Sequence, residues 1–296
     1  MHSLVVDAHY GGAPTPANKS KLELRLAQFA DSTGVISAEA VDRLIEFIIQ
    51  SQITSEKLGV SKTIAFATSA IRDAPNQAQL RERVESETGI RIDVLSGETE
   101  AELTFLAARR WVGWSAGRLM VFDIGGGSLE LAVGEDEEPD TAVSLPLGAG
   151  LLTREFITVD PPSPVQIKEL RKYIRAEIAA IMSRLSKGEK ARVHVGTSKT
   201  FKQLARIAGA PDSSAGIYVE RRLSLVGVTQ IIDRMASMDH LQRQQLPGVS
   251  AGRSGQMLAG ALVAEAAMEL FHANSIAICP WALREGVILR SLDSMS

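Results

Sequence analysis

The sequence predicts an α/β fold built from two domains. Its 296 residues exceed the usual length of one domain. Strand patterns and helix patterns alternate along both halves, which is typical of α/β proteins. Residues 112–117 separate the halves, so we predict one domain at 1–113 and a second at 114–285. The C-terminal helix at 286–296 is a candidate to rejoin the first domain.

In the first half, short apolar segments alternate with helical patterns. Leu4–Ala8 and Lys21–Ala27 predict strands joined by a turn rich in Gly and Pro. Ser37 is a suitable N-cap for a helix whose apolar residues recur at helical spacing. Two further strands and two further helices are predicted: Thr63–Thr68, Ile90–Leu95, Gln77–Glu87 and Thr99–Trp111.

The second half opens on a strand at Leu119–Asp123. Ser163 followed by Pro164 indicates a helix start, because Pro is favoured at the first helical position. The same patterns predict one more strand and three more helices: Ala191–Val195, Ser198–Ile207, Leu258–Leu270 and Ala282–Leu292.

Composition narrows the class of protein. The net charge of −3 argues against a general nucleic-acid coat, although a local basic cluster could still bind an anion. Cys279 is the only cysteine, which excludes an intramolecular disulfide and a cysteine metal site. The N-terminus lacks a signal-peptide pattern, and no segment reaches about 18 unbroken apolar residues. We therefore expect a cytoplasmic protein without a membrane or nucleic-acid partner.

The segment VFDIGGGSLELAV at 121–133 is the first candidate site. Apolar residues alternate after the glycines, so the chain continues as a strand, whereas Walker A and dinucleotide loops run into a helix. Amides of Gly125, Gly126 and Gly127, with the Ser128 hydroxyl, could bind phosphate. The flanking carboxylates Asp123 and Glu130 could hold Mg²⁺ beside that phosphate. The alternative is an ordinary hairpin turn with two solvated acids.

This hairpin, together with five other motifs, resembles the exopolyphosphatase/guanosine-pentaphosphate phosphohydrolase family. Each motif is weak alone, but all six stand in the family's order. They are Ala67–Arg72, Ser96–Ala101, Asp123–Glu130, Gly196–Thr200, Leu246–Ser250 and Leu283–Val287.

The resemblance implies two actin-like (ASKHA, ribonuclease H-like) domains with an active-site cleft between them. It also implies Mg²⁺-dependent hydrolysis of a terminal phosphoanhydride, and a homodimer, since the family often dimerises. The substrate would be inorganic polyphosphate or guanosine pentaphosphate. The positions that match the family's site are Arg72, Glu100, Asp123, Gly125, Gly126, Gly127, Ser128 and Glu130.

Glu100 is the residue that the resemblance makes the general base. A carboxylate in a first helical turn usually stabilises the helix dipole, which is the structural alternative. Glu98 and Glu102 are its rivals, and Thr99 with Glu102 resembles a capping box. A base must reach the attacking water, so the placement of these acids decides among them.

Several other polar residues are candidates for binding the anion. Arg72 could grip phosphate oxygens, or it could be a surface arginine beside Asp73. Ser198 begins a predicted helix, where anions are favoured, and Lys199 could touch a longer phosphate chain. Most exposed basic pairs are only solvated faces. The candidate basic clusters are Arg109 with Arg110, Arg221 with Arg222, Lys199 with Lys202, and Arg253.

The chain begins at the strand that follows the first phosphate loop in family members. We therefore expect the first strand and its loop to be missing from domain I. A misplaced start, a trimmed chain and a degenerate enzyme are the explanations considered. The leading functional hypothesis is an exopolyphosphatase. The alternatives are a guanosine pentaphosphate 5′-phosphohydrolase, a non-catalytic polyphosphate or nucleotide sensor, and a kinase of the same superfamily.

Overall fold

The computed structural model describes residues 2–9, 12, 15–21, 31, 33–186 and 188–294. The chain separates into two compact units: residues 1–96 with 288–296 form the first unit, and residues 97–287 form the second. The predicted domains, 1–113 and 114–285, differ from these units in the helix at 97–112. The assignment of domains stays a prediction.

The first unit contains two small sheets. Strand β1 (His2–Asp7) pairs antiparallel with β2 (Thr15–Lys21), and β3 (Phe66–Ala67) pairs parallel with β4 (Asp93–Val94). The predicted strand at Leu4–Ala8 is confirmed as β1. The expected turn was partly wrong, because Thr15–Lys21 pairs with β1 as a strand. Residues 22–27 of the other predicted strand lie outside the described residues.

Three whole helices of the described chain lie in the first unit, α1 (Ala38–Lys57), α2 (Ser69–Arg72) and α3 (Gln77–Thr88), and residues 288–293 of the C-terminal helix belong to it as well. The predicted cap of α1 is confirmed, because the Ser37 hydroxyl accepts a hydrogen bond from the Ala40 N–H at 3.3 Å. Apolar residues of α1 and α3, among them Val41, Leu44 and Val84, are buried together in one core.

The second unit is built on a six-stranded mixed sheet. Its strands in chain order, β5 to β10, are Leu119–Ile124, Leu129–Gly134, Thr141–Leu145, Val193–Gly196, Arg222–Ser224 and Ser275–Ile278. Their order across the sheet is β7-β6-β5-β8-β10-β9. Strands β5, β6 and β7 form an antiparallel meander, β8 and β10 continue parallel to β5, and β9 closes the edge antiparallel to β10.

Helices cover both faces of this sheet. Helix α4 (Gly97–Val112) packs on one face against Leu119 and Val121. Met120 and Phe122 point to the opposite face, into a larger helical core. The other helices of the chain are α5 (Ala149–Phe156), α6 (Pro164–Leu185), α7 (Ser198–Ile207), α8 (Leu225–Ala236), α9 (His240–Gln244), α10 (Ala251–Ser254), α11 (Met257–Leu270) and α12 (Leu283–Asp293). Among the helices described, none combines the length and apolar character needed to cross a membrane.

Helix α12 approaches α4 closely at a single glycine. A Cβ atom built on Gly286 would lie 1.9 Å from the carbonyl oxygen of Leu103, which is three residues beyond Glu100. Only a residue without a side chain allows this contact. The motif at 283–287 therefore positions the helix that carries Glu100.

We expect Gly286→Ala to destabilise the protein by about 3 kcal/mol, because the new methyl group overlaps backbone that cannot move away cheaply. Urea unfolding measures the loss. Gly255→Ala is the matched control, since nothing lies within 4 Å of the added Cβ. Equal stability of the two variants would contradict the close contact.

Candidate active site

The β5–β6 hairpin places two carboxylates side by side. Asp123 is the register partner of Glu130 across the two strands. Successive residues of a strand point to opposite faces, so Asp123 shares the face of Val121, and Glu130 that of Ala132. Both of those apolar residues pack under α4. The two carboxylates therefore point to the face of the sheet that α4 covers.

Glu130 is the more deeply buried of the pair, with 5% of its surface exposed. Its Oε1 accepts a hydrogen bond from the Ser144 hydroxyl at 2.9 Å, and the Ser128 hydroxyl is a second partner. Burial, followed by the negative charges of Asp123 and Glu100, raises the pKa of Glu130 to about 8. The effect of Glu100 means that a third carboxylate lies in the same site.

Glu100 reaches the site from the first turn of α4 and is only 6% exposed. Its two rivals are on the outside of the same turn. The Glu98 side chain is 66% exposed and lies 3.8 Å from Nη2 of Arg184, and Glu102 is exposed as well. Of the three acids, Glu100 is the one placed beside Asp123 and Glu130.

Asp123 is fixed by the turn that follows β8. Its Oδ2 accepts a hydrogen bond from the buried Thr197 hydroxyl at 2.5 Å. Burial raises the pKa of Asp123, while the Thr197 bond and the charges of Lys202 and Arg253 oppose that rise. Ser198 lies close enough to lower this pKa too, although its buried hydroxyl lacks the geometry of a full hydrogen bond.

The glycine loop is held by its carbonyl groups. The first amides of α5 bind it: Ala149 N donates to Gly125 O at 3.0 Å, and Gly150 N and Leu151 N donate to Gly126 O at 2.9 Å. In the described part of the chain, no backbone acceptor binds the N–H groups of Gly126 or Gly127. The loop thus keeps donors for a ligand while its acceptors are occupied.

Two glycines here serve different purposes. A Cβ on Gly148 would lie 2.2–2.4 Å from the backbone of Gly127 and Ser128, so this glycine lets α5 approach the loop. In the described part of the chain, a Cβ on Gly126 would meet no atom within 4 Å. Gly126 also has no left-handed backbone angle. Neither crowding by the described residues nor backbone strain therefore requires a glycine at this position.

The motif at 196–200 supports the same loop from the other side. The Thr200 hydroxyl donates to the Ile124 carbonyl at 2.9 Å, next to Gly125. Ser198 has a φ of 65°, a left-handed angle that is costly for a serine. Lys199 is exposed. The predicted helix start at Ser198 is confirmed.

Arg109 and Arg110 are both bonded to other groups of the second unit. Arg109 is 1% exposed and donates to the carbonyls of Gly113, Gly117 and Gly134. Arg110 forms two hydrogen bonds with Glu137. The prediction that Arg109 could bind an anion was wrong, because sequence spacing does not reveal burial.

Most residues of the other basic clusters also bond to groups of the protein, and one lies near the glycine loop. Arg221 donates to carbonyls of its own loop, and Arg222 pairs with Glu220. The Lys202 ammonium donates to the Pro280 carbonyl at 2.8 Å. Arg253, by contrast, lies 3.5 Å from the Thr200 hydroxyl, and its charge acts on Asp123. Arg253 is thus the member of these clusters that stands at the glycine loop.

Arg72 belongs to the first unit. Its Nε donates to Asp73 at 3.1 Å and its Nη1 donates to the Leu95 carbonyl at 3.2 Å. The pairing with Asp73 is the structural alternative considered above. The binding of phosphate by Arg72 stays a prediction.

The carboxylates of this site could bind Mg²⁺ only if water and phosphate oxygens supplied its remaining ligands. Among the described residues, no three His, Cys, Asp or Glu side chains form a ready metal site. Magnesium usually takes one or two carboxylates and completes its shell with water and phosphate oxygens. Asp123 and Glu130 fit that pattern, and the crowding that raises the pKa of Glu130 is the kind that a divalent cation relieves.

Sequence reasoning missed Thr197, Ser144 and Gly148. Thr197 belongs to the motif at 196–200, but the sequence does not show that its side chain is buried beside Asp123. Ser144 is the register partner of Glu130 on β7, a strand that the patterns did not predict. The run Gly148-Ala149-Gly150 was the available signal for a close approach.

Glu130 makes the stability of the protein depend on pH. The unfolded chain loses this proton near the ordinary pKa of 4.5, whereas the folded protein keeps it up to about pH 8. The free energy of unfolding should therefore fall between these values, by up to about 1.4 kcal/mol per pH unit from this group. Urea unfolding in EDTA, compared with Glu130→Gln, isolates the effect. Parallel pH profiles for the two proteins would refute it, and Glu102→Gln should match the wild type.

Known proteins share both the sequence and the fold. The model of the Ppx/GppA phosphatase family matches residues 5–295. Exopolyphosphatase 1 of Mycobacterium tuberculosis is 49% identical over 294 residues, which cover 99% of this chain and 86% of that protein. Exopolyphosphatase 1 of Mycobacterium leprae is 47% identical, with 99% and 87% covered.

Solved structures of the family superpose over nearly the whole chain. An exopolyphosphatase from Cytophaga hutchinsonii has a TM-score of 0.87 at 23% identity, covering 99% of this chain and 94% of its own. The Ppx/GppA enzyme of Aquifex aeolicus has a TM-score of 0.82 at 23% identity, with 98% and 95% covered. The actin-like fold class is thereby confirmed. The chain belongs to the Ppx/GppA phosphatase family.

Proposed function

We propose that this protein is an exopolyphosphatase, which hydrolyses the terminal phosphoanhydride of inorganic polyphosphate and releases phosphate. The observation that carries the proposal is the meeting of Glu100, Asp123 and Glu130 beside a glycine loop with available amides. The names of the mycobacterial relatives support the choice of substrate.

The glycine loop binds the terminal phosphate in this proposal. The N–H groups of Gly126 and Gly127 are the donors, and the absence of a side chain at Gly126 lets phosphate oxygens reach them. The Ser128 hydroxyl is engaged with Glu130, so Ser128 would contribute its backbone. Arg253 supplies a positive charge at the same place.

Asp123 and Glu130 would hold Mg²⁺ in this site. When bound, Mg²⁺ would neutralise phosphate oxygens and make the terminal phosphorus a better electrophile. Thr197 holds Asp123 and Ser144 holds Glu130, so both carboxylates are oriented before a ligand arrives. Phosphoryl transfer depends mainly on such positioning and charge neutralisation.

Glu100 acts as the general base. It takes a proton from a water molecule whose oxygen forms a bond to the terminal phosphorus. The bond from that phosphorus to the bridging oxygen breaks, and the shortened polyphosphate leaves with the electron pair. The burial of Glu100 near the two other carboxylates supports this role, because a general base must lie within reach of the attacking water.

Guanosine pentaphosphate is the alternative substrate, because its terminal anhydride would undergo the same reaction. Phosphate release from tripolyphosphate, from long-chain polyphosphate and from guanosine pentaphosphate, each with and without Mg²⁺, separates the hypotheses. If phosphate is released from guanosine pentaphosphate and not from either polyphosphate, the nucleotide is the substrate. Binding of either anion without release would favour the sensor hypothesis. A cytoplasmic location and a homodimer stay predictions.

Glu100→Gln should lower the rate of phosphate release from polyphosphate by about 10²–10⁴-fold, because the amide cannot accept the proton. Affinity for tripolyphosphate should change little. Glu102→Gln, on the same helical turn but exposed, is the control and should keep the wild-type rate. Phosphate release at the wild-type rate by Glu100→Gln would remove this residue from the role of base.

Gly126→Ala should weaken the binding of phosphate, whereas Gly148→Ala should lower the stability of the protein. The methyl group at 126 would meet no atom of the residues that the structure describes, so stability should stay within about 1 kcal/mol of the wild type, while affinity for tripolyphosphate falls at least about tenfold. The methyl group at 148 overlaps the loop and should cost about 3 kcal/mol of stability. Calorimetric titration and urea unfolding measure the two effects. Unchanged affinity of Gly126→Ala would argue against phosphate at the loop.

A further inference from the structure

A partly buried ion pair links α9, which precedes Arg253 in the chain, to Asp160. Arg243 on α9 is fully buried, and its Nη2 donates to Oδ1 of Asp160 at 2.7 Å. Its other contacts are longer: Nε lies 3.5 Å from the Met235 carbonyl and Nη1 lies 3.5 Å from the Gly255 carbonyl. Asp160 is therefore the close charged partner of this arginine.

The second oxygen of Asp160 binds the start of the same helix. Oδ2 accepts from the His240 backbone N–H at 2.7 Å and lies 2.9 Å from His240 Nδ1. Burial raises the pKa of Asp160, but the His240 bonds and the Arg243 charge outweigh it, and the net pKa is lowered. The carboxylate stays ionised and ties α9 to the loop between α5 and α6.

The segment that begins at Arg243 on α9 runs to Arg253, which lies near the glycine loop. A second contact holds this segment, because Gln203 Nε2 donates to the Gly248 carbonyl at 2.9 Å. The weak Arg243 contact at Gly255 lies two residues beyond Arg253. Arg253 itself ends beside Thr200, within range of Asp123.

We propose that the Asp160–Arg243 ion pair positions Arg253 for contact with the phosphate chain. Asp160 and Arg243 are then positioning residues that act through Arg253. This inference rests on the proposed function, because it requires an anionic substrate at the loop. The competing explanation is that the pair only stabilises the fold.

A double-mutant cycle separates positioning from stability. The variants are Asp160→Asn, Arg253→Ala and the double variant, assayed for phosphate release from polyphosphate. We expect Asp160→Asn to raise KM about tenfold with kcat within twofold, and to weaken the salt dependence of KM, as Arg253→Ala does. The double variant should be no worse than Arg253→Ala.

Glu265→Gln is the matched control. Glu265 is 5% exposed and pairs with the partly exposed Arg171 at 2.8 Å, so it tests the loss of another partly buried ion pair, one that is not on the segment between α9 and Arg253. It should lower stability and leave KM unchanged. If Asp160→Asn does not fold, His240→Ala carries the test, because its exposed side chain supplies one contact to Asp160.

Three results would overturn the inference: a wild-type KM for Arg253→Ala, a wild-type KM for the folded Asp160 or His240 variant, or full additivity in the cycle. If the wild type releases no phosphate from polyphosphate, the proposed function fails separately. The cycle is then measured by calorimetric titration with tripolyphosphate, where the same non-additive pattern supports positioning and additivity contradicts it.

Discussion

The register of the β5–β6 hairpin is the constraint on which the candidate site depends. Because Asp123 pairs with Glu130, and both point to the α4 face, two carboxylates must lie together wherever this hairpin forms. A slip of β6 by one residue against β5 would turn Glu130 toward the apolar core on the other face and separate it from Asp123. Alternating apolar residues prevent that slip, so the core that stabilises the sheet also fixes the site.

This placement carries an electrostatic cost. Burial of Glu130, and after it the negative charges of Asp123 and Glu100, raise the pKa of Glu130 to about 8. Hydroxyl donors and nearby cations offset part of the cost, but they leave Glu130 protonated near neutral pH. A site of this kind favours a bound cation, since the cation converts repulsion among the carboxylates into attraction toward one centre.

The sequence allowed the hairpin, most helices and the three acids to be predicted, because each depends on local periodicity or on a contiguous motif. Contacts between distant segments could not be predicted. Gly148 touches the loop about twenty residues after it, and Thr197 reaches Asp123 from a neighbouring strand. The arginine pairs could not be interpreted from the sequence, because a run of charged residues shows neither their burial nor their partners. Arg109, for example, is buried inside the fold.

The support of the glycine loop also explains how a flexible sequence can form a defined site. Three glycines in a row would sample many conformations in an isolated hairpin. Here the carbonyls of Ile124, Gly125 and Gly126 are held by α5 and by Thr200, so the peptide planes are oriented before any ligand binds. Donors that are already oriented need no reorganisation during the reaction, and this is the condition under which amides stabilise developing charge most effectively. The small residues at 148–150 are therefore as much a part of the proposed phosphate site as the glycines that would touch the phosphate.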